Sequence, residues 1–140
     1  MDKSFKLEQL LMPGVIDDLI EASVWQATPV SERPEIDLER WQVMQLPGGD
    51  RHFVGWNVTE REGRASSKIE AFDAVTRQGR TSSGRVNRLR GRTSHDGDGV
   101  HTWHRSMRVN DIAACADVSD KVQATIDAAR VRGHNKDSAI

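Results

Sequence analysis

Tyrosine is absent from this 140-residue chain, and aromatic residues of all kinds make up only 5% of it. That scarcity argues against the base-stacking surfaces that single-stranded nucleic-acid binders carry. Cysteine occurs once, as Cys115, so no internal disulfide forms and a reducing, cytoplasmic setting is the expectation. Within Ile112-Ala113-Ala114-Cys115-Ala116 that thiol reads as buried and inert. No apolar run approaches the roughly 18–20 residues needed to cross a bilayer, and Met1–Lys6 opens no secretory signal. Gly-x-Ser-x-Gly, a Walker A loop, GxGxxG and HExxH are all missing. Nucleophilic and nucleotide-dependent catalysis therefore have no support, and no cofactor is implied.

Charge is plentiful and unevenly spread. The net value of −1 hides four Lys/Arg against nine Asp/Glu in residues 1–49, a net of −5. Residues 50–110 carry twelve against seven, a net of +5, and residues 111–140 four against five. Such a chain either offers one face to an anionic partner or neutralises itself, within one molecule or against a second copy. Its length suits a single domain with a real core, placed here at residues 1–133 with a frayed tail at 134–140.

A short phrase recurs in the basic segment: Gly63-Arg64-Ala65-Ser66-Ser67, Gly79-Arg80-Thr81-Ser82-Ser83 and Gly91-Arg92-Thr93-Ser94-His95. The spacings of 16 and 12 residues are about a strand plus a loop. We read each Gly as a turn residue with positive φ between antiparallel strands. The strands are expected at Leu38–Leu46, at His52–Val58, from about Ser67 to Asp73, at Thr81–Leu89 and at Val100–Val109. In the fourth, a bulge near Asn87 or Arg88 would bring Val86 and Leu89 to the same side. Ser4–Leu11 and Val15–Gln26 have helical spacing, and Thr28–Asp37 reads as a linker. Ser119 caps a last helix whose stripe is Val122, Ile126 and Ala129, with Gly133 as its stop. The expected fold is α+β: a twisted antiparallel meander of about five strands, two short N-terminal helices and one C-terminal helix. Trp25, Trp41, Trp56 and Trp103 are expected to serve the core.

Trp56 with Glu62-Gly63-Arg64, then Ser67-x-Ile69-x-x-Phe72-Asp73, then Ser83-Gly84-Arg85-Val86-x-Arg88-Leu89 resembles a pattern in small uncharacterised β-rich proteins of bacteria, phages and other mobile elements. There an aromatic is expected where Asn87 stands. The resemblance covers about half the chain. It implies a small β-rich fold of such origin and brings no catalytic residues.

Two clusters carry candidate chemistry. His95, Asp96, Asp98, His101 and His104 are of the types that ligate metal. On a strand, however, His101 and His104 point to opposite faces, and only a helix would bring them together. Asp-Gly-Asp-Gly is also ordinary turn chemistry, so no metal is expected. The second cluster is Arg77, Arg80, Arg85, Arg88, Arg90 and Arg92. Guanidinium forks suit phosphate and carboxylate, and in an unbroken strand Arg80, Arg88, Arg90 and Arg92 share a face with Arg85 opposite. The competing reading pairs them with Glu60, Glu62, Glu70 and Asp73 on neighbouring strands. The reading that follows is a non-enzymatic binding protein whose arginine-bearing sheet engages an acidic partner, either nucleic acid or a protein surface, with no membrane involved. The alternatives are a small metal-dependent enzyme built on the 95–104 loop and a self-associating structural protein.

Overall fold

In the computed structural model, which describes residues 34–138, the chain closes on itself. Strand β1 (Glu35–Gln45) pairs antiparallel with β2 (Arg51–Asn57), β2 with β3 (Glu62–Asp73), β3 with β4 (Gln78–Thr81), and β4 with β5 (Val86–Leu89). Four antiparallel steps leave β5 running in the direction of β1. It then pairs parallel with the first half of β1, from Glu35↔Val86 to Leu38↔Leu89. The product is a closed five-stranded barrel, with a short outer strand β6 (Ala116–Asp117) added to the far end of β1. This corrects the expected open α+β meander. Closure satisfies the strand edges that an open sheet would expose. The expected helices at Ser4–Leu11 and Val15–Gln26, and Trp25, lie outside the described residues. Glu35–Asp37, assigned above to a linker, begins β1.

Three register shifts let short strands curl: between Glu39 and Gln42 in β1, His52 and Val54 in β2, and Ile69 and Ala71 in β3. At the first, Arg40 has φ +46, in the left-handed region. Ile36, Leu38, Trp41, Val43, Phe53 and Leu89 form the main core. The Phe53 ring reaches across to β4, where a Cβ on Gly79 would lie 2.3 Å from its Cζ. Helix α2 (Ser119–Ser138) completes this core with Val122 and Ile126, joined by Val118 just before it. The helix runs past Gly133, the expected stop.

A second apolar cluster lies on the outside of the barrel: Met44, Val54, Ala65 and Trp103, flanked by Leu46 and Met107. Trp103 comes from helix α1 (Gly97–Val109), which occupies the segment expected to be the fifth strand. The alternation His101, Trp103, Arg105, Met107, Val109 suggests a strand, but Gly99, Thr102, Trp103 and Ser106 recur at i, i+3, i+4 and i+7 and form the buried helical face. Asp96 sets the start: its side chain accepts the Gly99 N–H at 2.9 Å.

The predicted fourth strand is two strands. The chain reverses at Ser82–Gly84, where Gly84 has φ +92 and Thr81 N–H reaches the Arg85 carbonyl at 3.0 Å. Val86 therefore does not join Leu89 in the core, and no bulge at Asn87 is needed. The three repeated glycines also need a different account. Only Gly91 has a positive φ, +68. Gly63 is required by close approach, since a Cβ there would sit 2.3 Å from the Asp98 carbonyl carbon. Gly79 is required by the Phe53 ring. Two of the phrases thus mark contact points inside strands rather than turns.

Candidate functional site

Strand alternation sends Gln78 and Arg80 of β4, and Val86 and Arg88 of β5, to the outer surface. Parallel closure places β1 beside β5, with Asp37 opposite Arg88. Arg88 consequently meets Glu35 at 3.1 Å and Asp37 at 3.7 Å. Arg90 meets the other oxygen of Asp37 at 3.0 Å, and that hydrogen bond raises its guanidinium above the ordinary value. Arg92, beyond β5, reaches Asp127 of α2 through both terminal nitrogens at 3.3 Å. The Arg92 hydrogen bond, followed by one from Gln123, holds the Asp127 carboxyl below its usual range. The arginines are therefore partly self-paired: Arg88 and Arg90 meet Glu35 and Asp37, and Arg92 meets Asp127, rather than the acids of β3 and the turn before it. Their partners come from the acidic N-terminal part of the chain and from α2.

Arg85 is only 2% exposed and belongs to no solvent face. Arg77 sits in the β3–β4 turn with φ +60. The expected single row of Arg80, Arg88, Arg90 and Arg92 is broken by the reversal at Ser82–Gly84. Arg80 differs from the paired three: it is exposed and makes no ion pair with any described residue. It lines an open groove of about 440 Å³ with Ala71, Phe72, Asp73, Thr76, Gln78 and Val86. Phe72 is braced from within by Phe53, with ring centroids 6.2 Å apart. The groove therefore offers one cation without an ion pair to any described residue, three apolar residues (Ala71, Phe72 and Val86) and several hydrogen-bonding groups.

The His/Asp segment is rearranged by α1. His101 and His104 stand one turn apart on its exposed side, so the strand argument that separated them does not hold. Asp96 is committed elsewhere, to the helix cap and to the Arg40 guanidinium at 3.0 Å. Among the described residues no group of three or more His, Cys, Asp or Glu is arranged to hold a metal ion. Sequence reasoning missed Arg105 and Arg108, which are exposed on the same helix. The spacing of His101, His104, Arg105 and Arg108 is the signal that finds them, but only once the segment is read as a helix.

Cys115 is exposed rather than buried. Its sulfur accepts the Trp103 indole N–H at 3.5 Å and lies 3.9 Å from the Met107 sulfur. It lines a small recess of about 180 Å³ with Gln45, Leu46, Pro47, Ala114 and Ala116. Trp41 and Trp103 are buried, whereas Trp56 is half-buried with the Arg40 guanidinium 5.6 Å above its ring. No helix among the described residues is long and apolar enough to cross a membrane. Comparison of the chain with protein-family models, with curated proteins and with solved structures finds no match to any of them.

Proposed function

We propose that the protein is a non-enzymatic binding module that takes an acidic segment of a partner protein into the groove beside Arg80. One observation carries this reading: Arg80 has no ion pair with any described residue, in a groove that is also lined by Phe72 and Val86. A guanidinium beside apolar surface suits a carboxylate next to an apolar side chain, because the fork binds the carboxylate and the apolar pair loses water. A continuous phosphate chain suits this face less well. Glu35, Asp37 and Asp73 lie among the arginines, and Arg88, Arg90 and Arg92 are already paired. The lone thiol of Cys115 fits a cytoplasmic setting for this activity.

Selection from a displayed peptide library, run in parallel on the wild type and on Arg80→Glu, tests the reading. The wild type should enrich peptides with Asp or Glu next to an apolar residue, and Arg80→Glu should lose them while keeping its thermal midpoint. Equal enrichment by both proteins, or none by the wild type, removes the groove as a site.

A further inference from the structure

We infer that the solvent face of α1 is a second, separate cationic surface that takes the phosphate backbone of a nucleic acid. His101, His104, Arg105 and Arg108 occupy positions i, i+3, i+4 and i+7 of this helix, and all four are exposed. That spacing lays them in one stripe down the side opposite Gly99, Thr102, Trp103 and Ser106. None of the four makes a side-chain hydrogen bond or ion pair with any described residue. The contrast with the barrel arginines is direct, since those of β5 and the following segment are neutralised by Glu35, Asp37 and Asp127. Among the described residues, Arg105 and Arg108 thus stay without an ion pair on the helix, while Arg88, Arg90 and Arg92 are paired.

The helix holds these groups in place. Its first turn touches the barrel backbone at two points where only glycine fits: a Cβ on Gly99 would come within 2.8 Å of the Gly55 carbonyl oxygen, and one on Gly63 within 2.3 Å of Asp98. Its far end is closed by Asn110, whose side-chain amide donates to the Ser106 carbonyl at 2.9 Å. Beneath the middle, the Trp103 ring lies 5.3 Å from that of His52. Lys68 pairs with His52 in the sheet, which brings a further ammonium to the α1 side of β3.

The chemistry favours phosphate over an acidic protein here. From His101 to Arg108 the stripe runs roughly 10 Å, at about 1.5 Å per helical residue. That is about three phosphate steps of one strand at about 3.4 Å of duplex axis each. Arginine forks bind phosphate oxygens in pairs, and an imidazole donates an N–H in either protonation state. Stable protein interfaces need a buried aromatic or aliphatic anchor. The stripe has none, and the nearest exposed apolar side chain is Val109 at its end. Phosphate contact needs no such anchor and positions a protein without reading sequence.

Fluorescence anisotropy of a labelled DNA duplex of about 20 base pairs, across a KCl series, tests the inference. The wild type should bind at low salt and weaken steeply as KCl rises, because each neutralised phosphate releases counterions. The double variant Arg105→Gln/Arg108→Gln should bind about tenfold or more weakly, with a salt slope flatter by about two. Arg105→Lys/Arg108→Lys should keep most of that slope, which guards against a loss caused by misfolding. Arg80→Glu should bind the duplex as the wild type does, which separates this surface from the groove. Absence of binding at low salt, or equal binding by the Gln double variant, overturns the inference. So does a wild type that binds polyglutamate as tightly as the duplex through the same arginines, since the surface would then serve an acidic protein.

Discussion

Asp96 ties helix α1 to the barrel through both of its carboxylate oxygens: Oδ2 accepts the Gly99 N–H at 2.9 Å, and Oδ1 accepts the Arg40 Nε–H at 3.0 Å. Arg40 is the residue at the β1 bulge with φ +46, so the cap also fixes an irregular point of the strand. Asp96→Ala should therefore cost about 1–3 kcal/mol, combining a lost cap with a lost charge-assisted bond. Asp96→Asn should cost less, since the amide oxygen still caps. Urea unfolding of the two variants checks the order. An alanine variant as stable as the wild type would mean the cap contributes nothing.

Gly63 and Gly97 should respond oppositely to alanine. A Cβ on Gly63 lands 2.3 Å from the Asp98 backbone, whereas one on Gly97 meets nothing within 4 Å. Gly63→Ala should cost about 1–3 kcal/mol through forced separation of α1 from β3. Gly97→Ala, in the first turn of the helix, should gain about 0.5–1 kcal/mol by reducing the freedom of the unfolded chain. Thermal midpoints that move in the same direction would contradict this account of the interface.

Asn87 is fully buried, and neither its amide nitrogen nor its amide oxygen has a hydrogen-bond partner. It faces Gly79 on one side and Ile36 on the other. An unpaired buried amide costs about 1–3 kcal/mol. Asn87→Leu, close to it in shape, should recover part of that and raise the unfolding midpoint. A lower midpoint would show that the amide is satisfied in solution, for example by an internal water.

Asp117 supplies a pH test. Burial pushes its carboxyl up, but the Ser119 side chain and backbone N–H, with Gln42, hydrogen-bond the charged form and leave it below its ordinary value of 3.8. A depressed carboxylate contributes stability above the ordinary value, and that contribution is lost as pH falls through the lower folded value. Ser119→Ala should raise the Asp117 pKa, read by carboxyl NMR. The stability gap between wild type and variant should be widest near neutrality and narrow in acid. A gap independent of pH would leave only the Ser119 bond to the Val43 N–H, at 2.9 Å, as the cause.

Cys115 should react with iodoacetamide in the folded protein, because the residue is exposed and lines the recess beside Pro47 and Ala116. Labelling that appears only after denaturation, followed by mass spectrometry, would place the thiol inside.

Much of the local order was readable from residue pattern. The apolar alternation around Val43 and around Phe53 marks β1 and β2, and Ser119 with Val122 and Ile126 marks the start of α2. The failures share a cause. In residues 100–109, periods of 2 and 3.6 both fit the side chains, and the helix wins because the Asp96 cap and the glycines at 63 and 99 let it lie against the barrel. The candidate site was legible only as a list of arginines, since ion pairing depends on which acids arrive beside them.

By itself, the sequence determined where basic and acidic residues concentrate, which side chains have apolar faces to bury, and that one cysteine rules out an internal disulfide. Tertiary structure alone decided that β5 pairs parallel with β1, because that contact joins residues about fifty positions apart and carries no local signature. The same pairing neutralises Arg88 and Arg90 with Glu35 and Asp37, while Arg80, Arg105 and Arg108 have no ion pair with any described residue. Local pattern sets which residues carry charge, but only closure of the barrel sets which charges meet.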